Sequence, residues 1–209
     1  MASSAPTRVI TVVLERLGMH LWGFPPRLMA PIVGELGPVR ALAWFAWNMP
    51  RYQRSLAALG PVRTHLICTT ISLVNGCRYC SYGHAYALEL AYLHEHGRLF
   101  PISKHRILLL RGQSPGTIRH HMVTAVQNAG LYAEARWLAR AIELTVADDR
   151  RPTDPDDTRI SHLVTMFGVL NSVGIAHQTE PDQAHSPFNK DRALKLRHST
   201  LRAATDAGR

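Results

Sequence analysis

Residues 72–84 read Ser72-Leu73-Val74-Asn75-Gly76-Cys77-Arg78-Tyr79-Cys80-Ser81-Tyr82-Gly83-His84. Asn75-Gly76 breaks a helix, so a new one is expected to begin at or beside Cys77. Cys77, Cys80 and His84 then stand at i, i+3 and i+7, on one helical face. Two cysteines across a first helical turn can approach closely enough to form a disulfide. His84 follows Cys80 by one turn and can reach the sulfur as a base or ion-pair partner. A helix start offers unpaired N–H groups and the positive end of the macrodipole, and Arg78 adds charge. All of these favour a thiolate below the usual thiol value of ~8.5.

Outward from this stretch, the punctuation is helical almost throughout. Gly60-Pro61 opens the segment that ends at Asn75-Gly76, and the segment from about Cys77 to His96 is stopped by Gly97. Gly37-Pro38 opens an apolar run, Val39 to Asn48, expected to end where Pro50 forbids continuation. Ser103 caps a short helix expected to reach Gly112, and Ser114-Pro115 reads as an N-cap followed by proline at the first helical position. Trp137, Leu138, Ala141, Ile142 and Thr145 form an apolar stripe. Asp154-Pro155 opens the clearest helix, with Ile160, Leu163, Val164, Phe167 and Leu170 at helical spacing. Only Val9–Val13 looks strand-like, and Leu14 to Leu17 would equally make that segment helical. The expected fold class is all-α: an N-terminal extension (1–36), a helical domain (37–176), then a polar linker and basic tail (177–209). Within the last part, a helix is expected around Ala193 to Ala203.

The chain has 209 residues, 46% of them hydrophobic and 19% charged, enough for a single sizeable core. No run is apolar enough to span a membrane, and the short apolar run after Arg8 is too brief for a signal peptide. A cytoplasmic protein with no membrane partner is expected. Net charge is +9, with 24 Lys and Arg against 15 Asp and Glu, and only Lys104, Lys190 and Lys195 are lysines. The basicity forms no nucleic-acid-binding stripe. Arg150 and Arg151 lie among Asp148, Asp149, Asp154, Asp156 and Asp157, and the one basic cluster is in the tail, Lys190 to Arg202. More telling is the interval between Glu35 and Glu89, which holds no carboxylate but holds Arg40, Arg51, Arg54, Arg63 and Arg78. Chemistry in that interval is expected to work in a positive field.

Three cysteines are too few for a secreted disulfide scaffold. In a reducing compartment, C-x-x-C points to redox chemistry or metal. Ser81 stands where a c-type haem site needs histidine, and the βαβ context of a thioredoxin motif is missing. Zinc held by Cys77, Cys80, His84 and a remote fourth ligand is one alternative. Inert buried thiols are another, and for Cys68, in the apolar run His65 to Val74, the inert reading is the default.

The sequence Asn75-Gly76-Cys77-Arg78-Tyr79-Cys80 followed by His84, with the preceding helix from Pro61, resembles the core motif of the alkylhydroperoxidase D-like (AhpD-like) branch of the carboxymuconolactone decarboxylase superfamily. The likeness extends over about Leu42 to Gly174. It implies an all-helical bundle with the C-x-x-C at a helix N-terminus, assembled into homo-oligomers. It also implies peroxide reduction by a cysteine pair cycling between dithiol and disulfide, with no tightly bound cofactor. Cys80 would become the sulfenic acid and Cys77 would resolve it as a Cys77–Cys80 disulfide. His84 would belong to the proton relay. Electrons would come from an external dithiol, on a lipoyl-type protein or another carrier, and the oxidant would be an organic hydroperoxide or other small molecule. One departure stands out: the family's relay glutamate, twelve residues before the first cysteine, is His65 here. A histidine at that place could pass a proton or, as a cation, favour thiolates. It would also suit a non-redox lyase or isomerase acting on an anionic small molecule, or a metal site using both histidines.

The run Trp44, Phe45, Trp47 and Met49 could wall an apolar pocket, or simply form core or a subunit interface. Tyr79 and Tyr82 could add a hydroxyl to the site. His94, His96, His105, His120 and His121 read as surface histidines, and the tail as a loose end or a clasp on a neighbouring subunit.

Overall fold

The computed structural model describes residues 4–147 and 152–207. The neutralisation of Arg150 and Arg151 by Asp148 and Asp149 falls outside the described residues. Those described form ten α-helices and no strand: α1 (Ala5–Trp22), α2 (Met29–Leu36), α3 (Pro38–Leu59), α4 (Pro61–Val74), α5 (Arg78–His96), α6 (Lys104–Leu108), α7 (Pro115–Asn128), α8 (Tyr132–Val146), α9 (Pro155–Ala176) and α10 (Arg192–Ala207), with a 3-10 turn at Pro187–Lys190. The all-α reading therefore holds. No helix among the described residues is long and apolar enough to cross a membrane.

The caps do what their chemistry dictates. Ser4, Ser103, Ser114 and Asp154 each accept a hydrogen bond from a backbone N–H in the first turn of the following helix. The segment with the strand-like pattern, Val9–Val13, lies within α1, where Leu14 is buried. The helix begun at Ser103 stops at Leu108, short of Gly112, and continues only as turns.

Pro50 is where local expectation fails. Helix α3 runs through it to Leu59. An internal proline forfeits one hydrogen bond and crowds a carbonyl, at a cost of ~3 kcal/mol. Tertiary packing offsets this, because Phe45, Tyr52 and Leu59 recur every seventh residue and all are buried. An end at Asn48 would leave Tyr52 and Leu59 in water.

Helices α4 and α5 form the central pair. Every residue of α4 from Thr64 to Leu73 is buried, so this helix has no solvent face. One apolar core on its α9 side joins α1, α2, α3 and α9, and a second joins α5 to α6, α7 and α8. The segments flanking 37–176 pack against both. Leu14, Leu28, Met29, Ile32 and Val33 enter the first core, while Ala184 and Leu194 cover Ala87, Leu90 and Leu93 of α5. The basic tail is α10, and it clasps its own chain. Glu89, fully buried on α5, accepts from Arg202 Nε at 2.9 Å, with Lys104 Nζ 3.7 Å and His198 Nε2 3.3 Å away. Arg202 also donates to the Phe100 carbonyl, and Arg197 to that of Gly97.

Removing one partner of a buried pair strands the other charge. Arg202→Ala is expected to lower unfolding free energy by about 3 kcal/mol, read from urea titrations at neutral pH. Arg192→Ala on the same helix should change it by less than about 0.5 kcal/mol.

Candidate functional site

The turn between α4 and α5 positions the cysteines. Cys77 N–H donates to the Ser72 carbonyl at 2.9 Å and Gly76 N–H to that of Leu73 at 3.0 Å. These are the paired bonds of a Schellman motif, which needs a left-handed residue after the cap; Gly76, at φ +79°, supplies it. The residue that closes α4 is therefore also the N-cap of α5, and it is Cys77. Cys80 lies in the first turn of α5.

The two sulfurs are adjacent, buried and not joined as a disulfide. The thiol of Cys80 hydrogen-bonds to Cys77 and is the main influence lowering the Cys77 pKa. Burial opposes it, while the backbone N–H groups of Cys80 and Tyr79 and the charge of Arg111 assist. For Cys80 the same hydrogen bond, together with burial, pushes the pKa well up. Of the two thiols, Cys77 is therefore the more readily ionised. Arg111, whose Nη1 lies 3.4 Å from the Gly76 carbonyl, supplies the positive influence expected from Arg78. Arg78 is instead neutralised by Glu180 at 2.9 Å. Gly174 of α9 makes room for the Cys77 sulfur: a Cβ there would stand 3.0 Å from Sγ. Cys68 is buried, and burial raises its thiol pKa.

His65 and His84 meet across the α4–α5 seam, with Nδ1 to Nδ1 at 3.1 Å. That distance requires one nitrogen to donate and the other to accept. Burial lowers the His65 pKa to about 3 and carries His84 well below its ordinary value. Both are neutral at physiological pH, so the cationic His65 that the sequence allowed is not present. His84 is hydrogen-bonded to His65 and to neither sulfur among the described residues. Nor does any group of three or more His, Cys, Asp or Glu side chains among them stand close enough to hold a metal ion.

Cys80 and His84 line a narrow apolar pocket with Phe45, Met49, Met166 and Phe167, leaving an internal space of about 40 Å³. That is room for roughly a pair of water molecules. Of the aromatic run, Phe45 and Met49 reach this wall; Trp47 stays exposed beneath the Arg51 guanidinium, 3.6 Å from its ring centroid.

His185 and Asp182 carry no local signal in the sequence. They belong to residues 177–190, which read as a polar linker, yet His185 reaches the pocket wall. His185 stacks on Trp22 and Phe24, meets His84 edge-on with ring centroids 5.1 Å apart, and lines the pocket. Burial, then the charge of His65, lowers its pKa to about 3. Its backbone N–H donates to the Gly83 carbonyl, and only a glycine leaves space for its ring: a Cβ at residue 83 would fall 2.3–2.5 Å from the imidazole atoms. Asp182 accepts from Tyr79 Oη at 2.8 Å and from the Arg27 backbone N–H at 2.8 Å. Tyr79 is the hydroxyl that the sequence offered, but it holds this strap. The surface histidines His94, His96, His105, His120 and His121 are exposed.

No protein-family model matches the chain, and neither a curated protein nor a solved structure matches it.

Gly83→Ala would drive a methyl group into the His185 ring. Overpacking of about 1–3 kcal/mol should loosen the strap and speed alkylation of Cys80 about ten-fold, measured by mass spectrometry under native conditions. A second expectation concerns pH. The unfolded histidines titrate near ~6.5, whereas those in the fold stay neutral down to about 3. Between these values the unfolded chain binds more protons, so stability must fall as pH falls. In His185→Phe, the slope of unfolding free energy between pH ~6 and ~4 should be shallower by up to one proton.

Proposed function

We propose that the chain is a thiol-dependent peroxidase or disulfide oxidoreductase of the AhpD-like type. The observation that carries this reading is an adjacent cysteine pair, not joined as a disulfide, with Cys80 and the neutral His84 in the wall of an apolar pocket. Proton transfer from Cys80 to Cys77 along their hydrogen bond moves the charge onto the sulfur that faces the pocket. The Cys80 thiolate then attacks the outer oxygen of a hydroperoxide, breaking the O–O bond and forming Cys80 sulfenic acid. The departing alkoxide takes up a proton, with the His84–His65 pair as the adjacent relay. Cys77 attacks the sulfenic sulfur, water leaves, and the Cys77–Cys80 disulfide forms. An external dithiol reduces it by exchange through a mixed disulfide. In sum, one hydroperoxide and one dithiol give an alcohol, water and a disulfide.

An apolar wall carrying neutral imidazoles does not favour the lyase or isomerase reading, which needs an anion to be held there. It suits a small uncharged hydroperoxide group reaching Cys80.

One equivalent of an organic hydroperoxide should remove two alkylatable thiols from the wild type, and none as a disulfide from Cys80→Ser; an intact thiol count in the wild type would refute the reading. In Cys80→Ala the pKa of Cys77, followed by thiolate ultraviolet absorbance, should rise because its main hydrogen-bond donor is gone.

A further inference from the structure

Arg51 and Arg54 on α3 approach Arg159 on α9, more than 100 residues away in sequence, across an open cleft of about 680 Å³. Ser55, Thr158 and His162 complete its polar wall, and among the described residues no carboxylate lines it. Of the other arginines of the carboxylate-free interval, Arg63 pairs with Glu134 and Arg78 with Glu180, while Arg40 is exposed away from this cleft's lining. Arg51 and Arg54 have no acidic partner among the described residues. Arg51 is held flat by its stack on Trp47, and Arg54 Nε donates to the Pro50 carbonyl at 3.3 Å, leaving its terminal nitrogens unused by that bond. Arg159 pairs with Asp156 through Nη1 at 2.7 Å, at a half-exposed site. His162 Nε2 lies 3.1 Å from Asn48 Oδ1, and its pKa is lowered by burial and then by the charges of Arg51 and Arg54. The first turn of α9 contributes little of its own, since Asp154 already takes the N–H groups of Asp156 and Asp157.

The Ser55 and Thr158 hydroxyls already donate to the Arg51 and Asp154 carbonyls. Guanidinium groups arriving from two helices match an acceptor that offers oxygens in several directions. A tetrahedral phosphate does so, whereas a planar carboxylate is satisfied by one guanidinium fork. The cleft falls within the size range of small-molecule pockets and is much roomier than a lone phosphate needs. We propose that the α3–α9 cleft binds the phosphate group of a small organic phosphate ester through Arg51, Arg54 and Arg159. The proposal is independent of the cysteine chemistry, because no cysteine lines the cleft.

The test is isothermal titration of phenyl phosphate, and separately of inorganic phosphate, into the full chain at fixed low ionic strength. Phenyl phosphate should bind more tightly than inorganic phosphate, and both should weaken roughly ten-fold or more in Arg51→Gln/Arg54→Gln. Arg119→Gln, which removes one surface charge paired with Glu143 on another face, should bind as the wild type does. Ligand in the cleft should also raise the pKa of His162, followed by NMR, because it offsets the two guanidinium charges. No binding, or equal weakening in Arg119→Gln, overturns the proposal, the latter because net charge alone would then draw the anion. Inorganic phosphate binding as tightly as the ester overturns the assignment to an organic ligand.

Discussion

The reversal of the chain at Gly76 constrains everything built around it. A left-handed residue ends α4 with two hydrogen bonds and delivers Cys77 as the N-cap of the next helix. Because the two helices return directly along each other, residues 65 and 84 meet across the seam, and their imidazoles fill it. The same geometry buries α4 on all sides. Its Thr64, Thr69 and Ser72 hydroxyls, like the His65 ring, are fully enclosed. Thr70 resolves its own burial by donating to the Leu66 carbonyl one turn back. A central helix this polar can be buried only if its neighbours exclude water completely, and this gives the flanking segments their role. Helices α1 and α2 pack into the core on one side of α4, and α10, drawn in by Glu89, covers the neighbouring α5.

Those flanking segments also separate what was legible in the sequence from what was not. Helix starts were legible because capping is local: a Ser or Asp oxygen, a proline at the first position and a glycine beyond the end act within a few residues. The break at Pro50 was misread because local cost lost to the burial of Tyr52 and Leu59. Residues 177–190 carry no periodicity, and nothing in their polar composition distinguishes a solvated linker from a strap held by specific contacts. What holds this strap is scattered over the chain. Gly83 provides space, Tyr79 a hydroxyl, and Trp22 and Phe24 the surfaces on which His185 stacks. Each of these contacts is long-range, so no window of sequence contains one.

Charge followed the same rule. The carboxylate-free interval is real in sequence, yet the cysteine end of α5 is bordered by Asp182 and Glu180 from the strap. The positive influence on Cys77 comes from Arg111, outside the motif. The surplus that does survive folding gathers between α3 and α9, two helices that also contribute Phe45, Met49, Met166 and Phe167 to the thiol pocket. Local sequence marked the break before α5, whose N-cap is Cys77. It could not say which of the two sulfurs would hold the proton, since that depends on which thiol donates and how deeply each is enclosed.

The imidazole at position 65 follows from the same enclosure. A carboxylate there would stand on a fully buried helix, with His84 as its facing polar group and no cation within the pocket wall. Stranding a charge in that setting costs several kcal/mol unless it is protonated or paired. A neutral imidazole accepts burial more cheaply and still presents one nitrogen to give a proton and one to take it. With His65, His84 and His185 all held in the neutral form by burial, the wall that Cys80, His84 and His185 share with Phe45, Met166 and Phe167 remains apolar.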